Sequence, residues 1–113
     1  MKEEKVMMDL KRVADEMWTN KIAKGFNISD VNFELVRLYG EVSELGDAIW
    51  KKKSKDEIAS EVADVFLYLL SVARMADVDD IEIAVYNKLI ENSKRVYEKN
   101  ENGVLDRVDD KEN

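Results

Sequence analysis

Residues 57–73 read EIASEVADVFLYLLSVA. At 100° per residue, Val62, Val65, Phe66, Leu67, Leu69, Leu70, Val72 and Ala73 cover most of a helical circumference, the pattern of a helix buried on nearly every side. One narrow stripe is polar, and it carries Glu57, Glu61, Asp64, Tyr68 and Ser71 at steps of three and four. The longest apolar stretch, Val65 to Ala73, falls far short of the roughly 20 residues that span a bilayer. The segment therefore belongs to the core of a helical domain. Carboxylates on its polar stripe need compensating charge, since burying them unpaired costs several kcal/mol.

Working outward, Ser54 stands three residues before Glu57, the spacing of a capping box, and opens this helix over about 55–76. Ser29-Asp30 offers an N-cap for a preceding helix over about 31–52, with a core stripe of Leu35, Leu38, Val42, Leu45 and Ile49. A first helix over about 3–24 presents Val6, Leu10, Val13, Met17 and Ile22, and stops at Gly25. Asp79 caps a fourth over about 80–99. No Pro and only four Gly interrupt the chain. The expectation is an all-α antiparallel bundle of four to five helices forming one domain over residues 1–99, followed by a polar tail over 100–113 that is mobile or makes a short appended turn.

Composition narrows the chemistry. The 113 residues include no Cys and no His, which excludes thiolate nucleophiles, disulfides, Cys-ligated metals and Ser-His catalysis. With 18 basic against 25 acidic residues the net charge is −7, which opposes general binding of nucleic acid through phosphate contacts. No secretory signal and no membrane span are visible, so a cytoplasmic protein is expected. The glycines form neither a Walker loop nor a dinucleotide fingerprint.

On the second helix, Glu41 and Glu44 lie about 60° apart and share a face with Glu34 and Arg37. Glu61 and Asp64 repeat the same spacing one helix later. Lys88, Asn92 and Arg95 continue the stripe of Ile81 and Val85 on the fourth helix, a face apolar early and basic late. Two readings follow: Lys88 and Arg95 neutralise the acids as salt bridges, or the acids hold metal. Two cations do not balance four inward carboxylates, and oxygen-only ligands select hard cations, Mg2+ or Mn2+.

Glu41-Val42-Ser43-Glu44-Leu45, Glu61-Val62-Ala63-Asp64-Val65 and Lys88-x-x-x-Asn92-x-x-Arg95 together resemble the MazG-like family of all-α nucleoside triphosphate pyrophosphohydrolases, over about Phe26 to Tyr97. The resemblance implies that Glu41, Glu44, Glu61 and Asp64 are catalytic metal ligands for Mg2+. It also implies that Lys88, Asn92 and Arg95 contact the triphosphate and that Tyr68 lies near the base or sugar. Phe26 and Trp50 are further candidates for stacking on a base. Gly40 precedes Glu41 where many relatives carry a second Glu, and Glu34 or Glu57 would be its substitute. The implied reaction converts a nucleoside triphosphate to monophosphate and pyrophosphate. A phosphoribosyl-ATP pyrophosphohydrolase and a non-enzymatic helical scaffold are the alternatives. The apolar surface exceeds what one layer of four helices covers, so a homodimer or homotetramer is expected.

Overall fold

The structure is a computed structural model and describes residues 9–108. They form four helices, α1 (Leu10–Lys24), α2 (Val31–Trp50), α3 (Lys55–Met75) and α4 (Ile81–Ser93), and two short strands, β1 (Tyr97–Lys99) and β2 (Leu105–Arg107). The helical class expected from periodicity is the observed one. The chain divides into two compact units between Ile81 and Glu82. Among the described residues, no helix is long and apolar enough to cross a membrane.

In the first unit the caps are those the sequence announces. Ser54 and Glu57 complete the capping box, with the Glu57 amide donating to Ser54 Oγ at 3.1 Å and the Ser54 amide to Glu57 Oε1 at 3.1 Å. Asp30 accepts from the Phe33 amide at 3.0 Å, and Gly25 closes α1 in the left-handed conformation at φ 73°. The predicted start of the first helix needs correction. Asp9 is extended and its carboxylate accepts from the Arg12 amide at 2.7 Å, so the helix begins at Leu10. The earlier part, with Val6, lies outside the described residues.

Helices α2 and α3 form an antiparallel pair reversed through Lys52, which takes a positive φ of 55°. Their register brings Glu34 to Ser71, Arg37 to Tyr68, and Glu41 to Glu61 and Asp64. Helix α1 is tied to α3 by an Arg74–Asp15 ion pair at 2.8 Å and by Arg74 over the Trp18 ring, 5.3 Å from its centroid. Ala14, Leu38, Ala48 and Leu70 are the fully buried apolar side chains among the described residues. The expected stripes are only partly covered. Leu38 is buried, but Val42, Ile49, Val62, Phe66 and Leu69 remain exposed. Among the described residues, α3 is therefore not covered on every side.

In the second unit the last helix is shorter than its periodicity predicts. Ser93 Oγ donates to the Ile90 carbonyl at 2.7 Å, a side-chain bond that competes with the helical ladder. The helix gives way to an antiparallel hairpin pairing Tyr97 with Arg107, Glu98 with Asp106 and Lys99 with Leu105. Asn100 organises the turn, its Oδ1 accepting from the amides of Asn102 at 2.8 Å and Val104 at 3.0 Å, while Gly103 supplies φ 81°. The segment expected as a polar tail thus carries the second strand of this hairpin as far as Arg107.

Candidate metal centre

The antiparallel register of α2 and α3 converts two sequence spacings into one cluster. Carboxylate oxygens of Glu41, Glu61 and Asp64 lie within 4.8 Å of one another. Glu41 and Glu61 are half-buried and Asp64 is exposed. Burial pushes the Glu41 carboxyl above its ordinary range, and the charges of Glu44, Asp64 and Glu61 push it further, against a smaller opposing effect of Arg37. Glu44 contributes to that field but stands outside the three-carboxylate group. It lines an open groove of about 610 Å3 together with Trp50, Lys53, Glu57 and Glu61.

The donor set suits a hard divalent cation. Glu61 Oε1 is buried and has no hydrogen-bond partner among the described residues. A carboxylate oxygen in that state is costly unless a cation completes it. Oxygens on opposite sides of Mg2+ lie about 4.2 Å apart, so the cluster is within a small side-chain adjustment of ligation. The salt bridges of Lys88 and Arg95 are made with Glu91, at 3.0 and 3.2 Å, within the second unit. Arg95 Nε is buried without a partner among the described residues, and Asn92 is exposed.

A smaller cavity of about 220 Å3 sits one helical turn along from the cluster, since Arg37 precedes Glu41 by four residues and Tyr68 follows Asp64 by four. Arg37 and Tyr68 both line it and interact favourably, and the Arg37 guanidinium lies 5.9 Å from the Phe33 ring centroid. Phe26 forms another wall, whereas Trp50, the other aromatic candidate, lines the larger groove and is 83% exposed. The floor is polar. Lys21 Nζ donates to Glu34 Oε2 at 2.8 Å and Asn27 Nδ2 to Glu34 Oε1 at 3.1 Å, with the Glu34 side chain only 3% exposed.

Both suggested substitutes for the missing acid next to Glu41 are otherwise engaged. Glu34 is held by Lys21, Asn27 and Ser71. Glu57 is committed to the cap of α3, and its hydrogen bonds from the Ser54 backbone and side chain hold its carboxyl below the ordinary range. Sequence reasoning noticed Arg37 on the acidic face without giving it a role. Lys21 on α1 and Asn27 in the loop after it escape it, because contacts between separate segments leave no periodic trace.

A family model for the MazG nucleotide pyrophosphohydrolase domain matches residues 30–97, which take in α2, α3 and α4. No curated protein matches the chain, and no solved structure does.

Proposed function

The chain belongs to the MazG nucleotide pyrophosphohydrolase family, and from that premise we propose that it hydrolyses a nucleoside triphosphate to the monophosphate and pyrophosphate with Mg2+, or Mn2+ in its place. The observation that carries this reading is the convergence of Glu41, Glu61 and Asp64, together with a buried Glu61 oxygen that has no hydrogen-bond partner among the described residues. These three carboxylates hold the metal, with Glu44 completing or adjusting the set. When bound, the metal offsets the acidic charge and supplies an activated water and a Lewis acid for the phosphoryl group.

The remaining roles fall to the chain's own side chains. Lys88, Asn92 and Arg95 bind the triphosphate, the two cations stabilising charge on the departing pyrophosphate and the amide orienting it. Tyr68, anchored by Arg37, faces the nucleoside, and the 220 Å3 cavity takes the base. Because α3 keeps Val62, Phe66 and Leu69 exposed, the working form is a homodimer or homotetramer.

Incubation with a panel of ordinary and modified nucleoside triphosphates and Mg2+, following pyrophosphate against orthophosphate, tests the reaction. Pyrophosphate is expected, abolished by chelator and reduced by more than about 100-fold in Glu61→Gln. Absence of release from every nucleotide, with a melting temperature indifferent to Mg2+, would leave a helical scaffold as the better description.

A further inference from the structure

Lys21, Glu34 and Ser71 are the buried polar side chains among the described residues, and the proposed chemistry uses none of them. Each comes from a different helix of the first unit: Lys21 from α1, Glu34 from α2 and Ser71 from α3. Glu34 is the joint. Its Oε2 accepts from Lys21 Nζ at 2.8 Å and its Oε1 from Asn27 Nδ2 at 3.1 Å, while Ser71 lies against the same carboxylate. The ties close on themselves, since α1 meets α2 at Lys21 and Glu34, α2 meets α3 at Glu34 and Ser71, and α3 returns to α1 through Arg74 and Asp15. A buried ion pair is seldom more stabilising than apolar residues of like size. What it adds is direction, because a short hydrogen bond fixes a distance that an apolar contact leaves loose.

The network shares the α2–α3 face with the acidic cluster. Glu34, Arg37 and Glu41 meet Ser71, Tyr68 and Asp64 in reverse order at steps of three and four. Glu34 therefore stands about 10.5 Å along α2 from Glu41. On the other side of the cluster the helices are joined by their turn, where the Lys53 amide donates to the Ala48 carbonyl at 3.0 Å and the capping box holds Ser54 to Glu57. The acids thus lie between two fastenings. The charges of Glu44, Asp64 and Glu61 all act against that of Glu41. A helical pair tied only at its turn relieves such repulsion by opening at the far end. With the network in place, opening would draw the Lys21 ammonium and the Glu34 carboxylate apart inside the fold, at a cost well above that of repulsion between partly exposed acids.

We infer that Lys21, Glu34 and Ser71 form a clamp that holds α2 against α3 at the spacing the metal centre needs, which makes them positioning residues for the ion. The clamp keeps the oxygens of Glu41, Glu61 and Asp64 together before any cation arrives, so that binding need not first close the helices against their own charge. The inference rests on the proposed metal chemistry and adds what holds the ligands in place.

Two variants test it. Lys21→Met/Glu34→Leu removes both charges with little change of volume and should fold, and Ser71→Ala takes away only a hydroxyl. Titration with Mn2+, read from the paramagnetic signal of the free ion, is expected to show affinity weakened by about tenfold or more in the double variant and by about threefold or more in Ser71→Ala. Because the chain has no Cys, Tyr39→Cys and Ala63→Cys carry spin labels at one site on α2 and one on α3. In metal-free protein diluted with unlabelled chain, the distance between them should lengthen or spread in both variants. A network that serves stability alone would move neither readout in folded protein. Mn2+ affinity within about twofold of the natural chain, with unaltered label distances, overturns the inference, read in the double variant if it folds and in Ser71→Ala if it does not. If the natural chain takes up no Mn2+, the metal reading fails by itself and the label distances decide the clamp: a wider distribution in the variants keeps it, and an unchanged one removes it.

Discussion

Glu41 is the residue at which folding and function pull in opposite directions. Its side chain is half-buried among Glu44, Asp64 and Glu61, and its carboxyl is held above the ordinary range by burial first and by those charges second. In metal-free protein this repulsion costs stability, from a few tenths of a kcal/mol to about 1 kcal/mol. Glu41→Gln should therefore melt a few degrees higher than the natural chain in chelator, yet gain little from added Mg2+, whereas the natural chain gains about 2.7 kcal/mol at a free Mg2+ concentration 100 times its Kd. Thermal melts with and without Mg2+ read both effects. A variant that melts lower in chelator, with an undiminished response to Mg2+, would mean that Glu41 is a structural acid. The residue types and spacing that suggested the metal were legible in the chain. The burial of Glu61 Oε1 without a hydrogen-bond partner among the described residues was not, because it depends on what the folded helices place around it.

At the level of elements, three helices meet at one buried ion pair. Lys21 lies in the last turn of α1 and Glu34 in the first turn of α2, where each charge complements its helix dipole, and Ser71 of α3 lies against the same carboxylate. Burial alone would raise the Glu34 carboxyl, but the bonds from Lys21, Ser71 and Asn27 outweigh it and hold the group below its ordinary value of 4.5. A carboxylate lowered by folding adds stability that is present above the unfolded value and is lost as pH falls through the folded one. Glu34→Gln leaves Lys21 buried without its counter-ion and should cost about 3–5 kcal/mol at neutral pH. Its deficit against the natural chain should shrink on acidification below about 4.5. Urea titrations at a series of pH values measure this, and a deficit independent of pH would show that the pair does not carry it.

For the whole molecule, the surface is the informative part. Val62, Phe66 and Leu69 on α3 and Tyr86 and Leu89 on α4 are exposed in the single chain. Scattered apolar residues are ordinary, but apolar surface of this extent marks an interaction face, and the proposed assembly of copies would cover it. Sedimentation should find a dimer or tetramer, and the melting temperature should rise with protein concentration because assembly stabilises by mass action. Leu69→Asp should shift the equilibrium toward monomer and lower the melting temperature. A monomer at micromolar concentration, with a melting temperature independent of dilution, would rule this assembly out.

The sequence by itself determined the helices and their caps, since Asp30, Ser54, Glu57 and Gly25 act within one turn of where they stand. It also set out both acidic pairs, because a spacing of three residues places two side chains on one face of any helix. Only the tertiary structure decided how these pairs combine. It brought Glu41 to Glu61 and Asp64 while leaving Glu44 beside the larger groove. It also enclosed Lys21 with Glu34 in the floor of the small cavity. The end of α4 fell between the two: apolar periodicity continues toward Tyr97, but the hairpin closed by Asn100 and Gly103 takes the last residues for strand. Local rules reach about one helical turn, whereas the register between two helices depends on side-chain contacts from residues tens of positions apart.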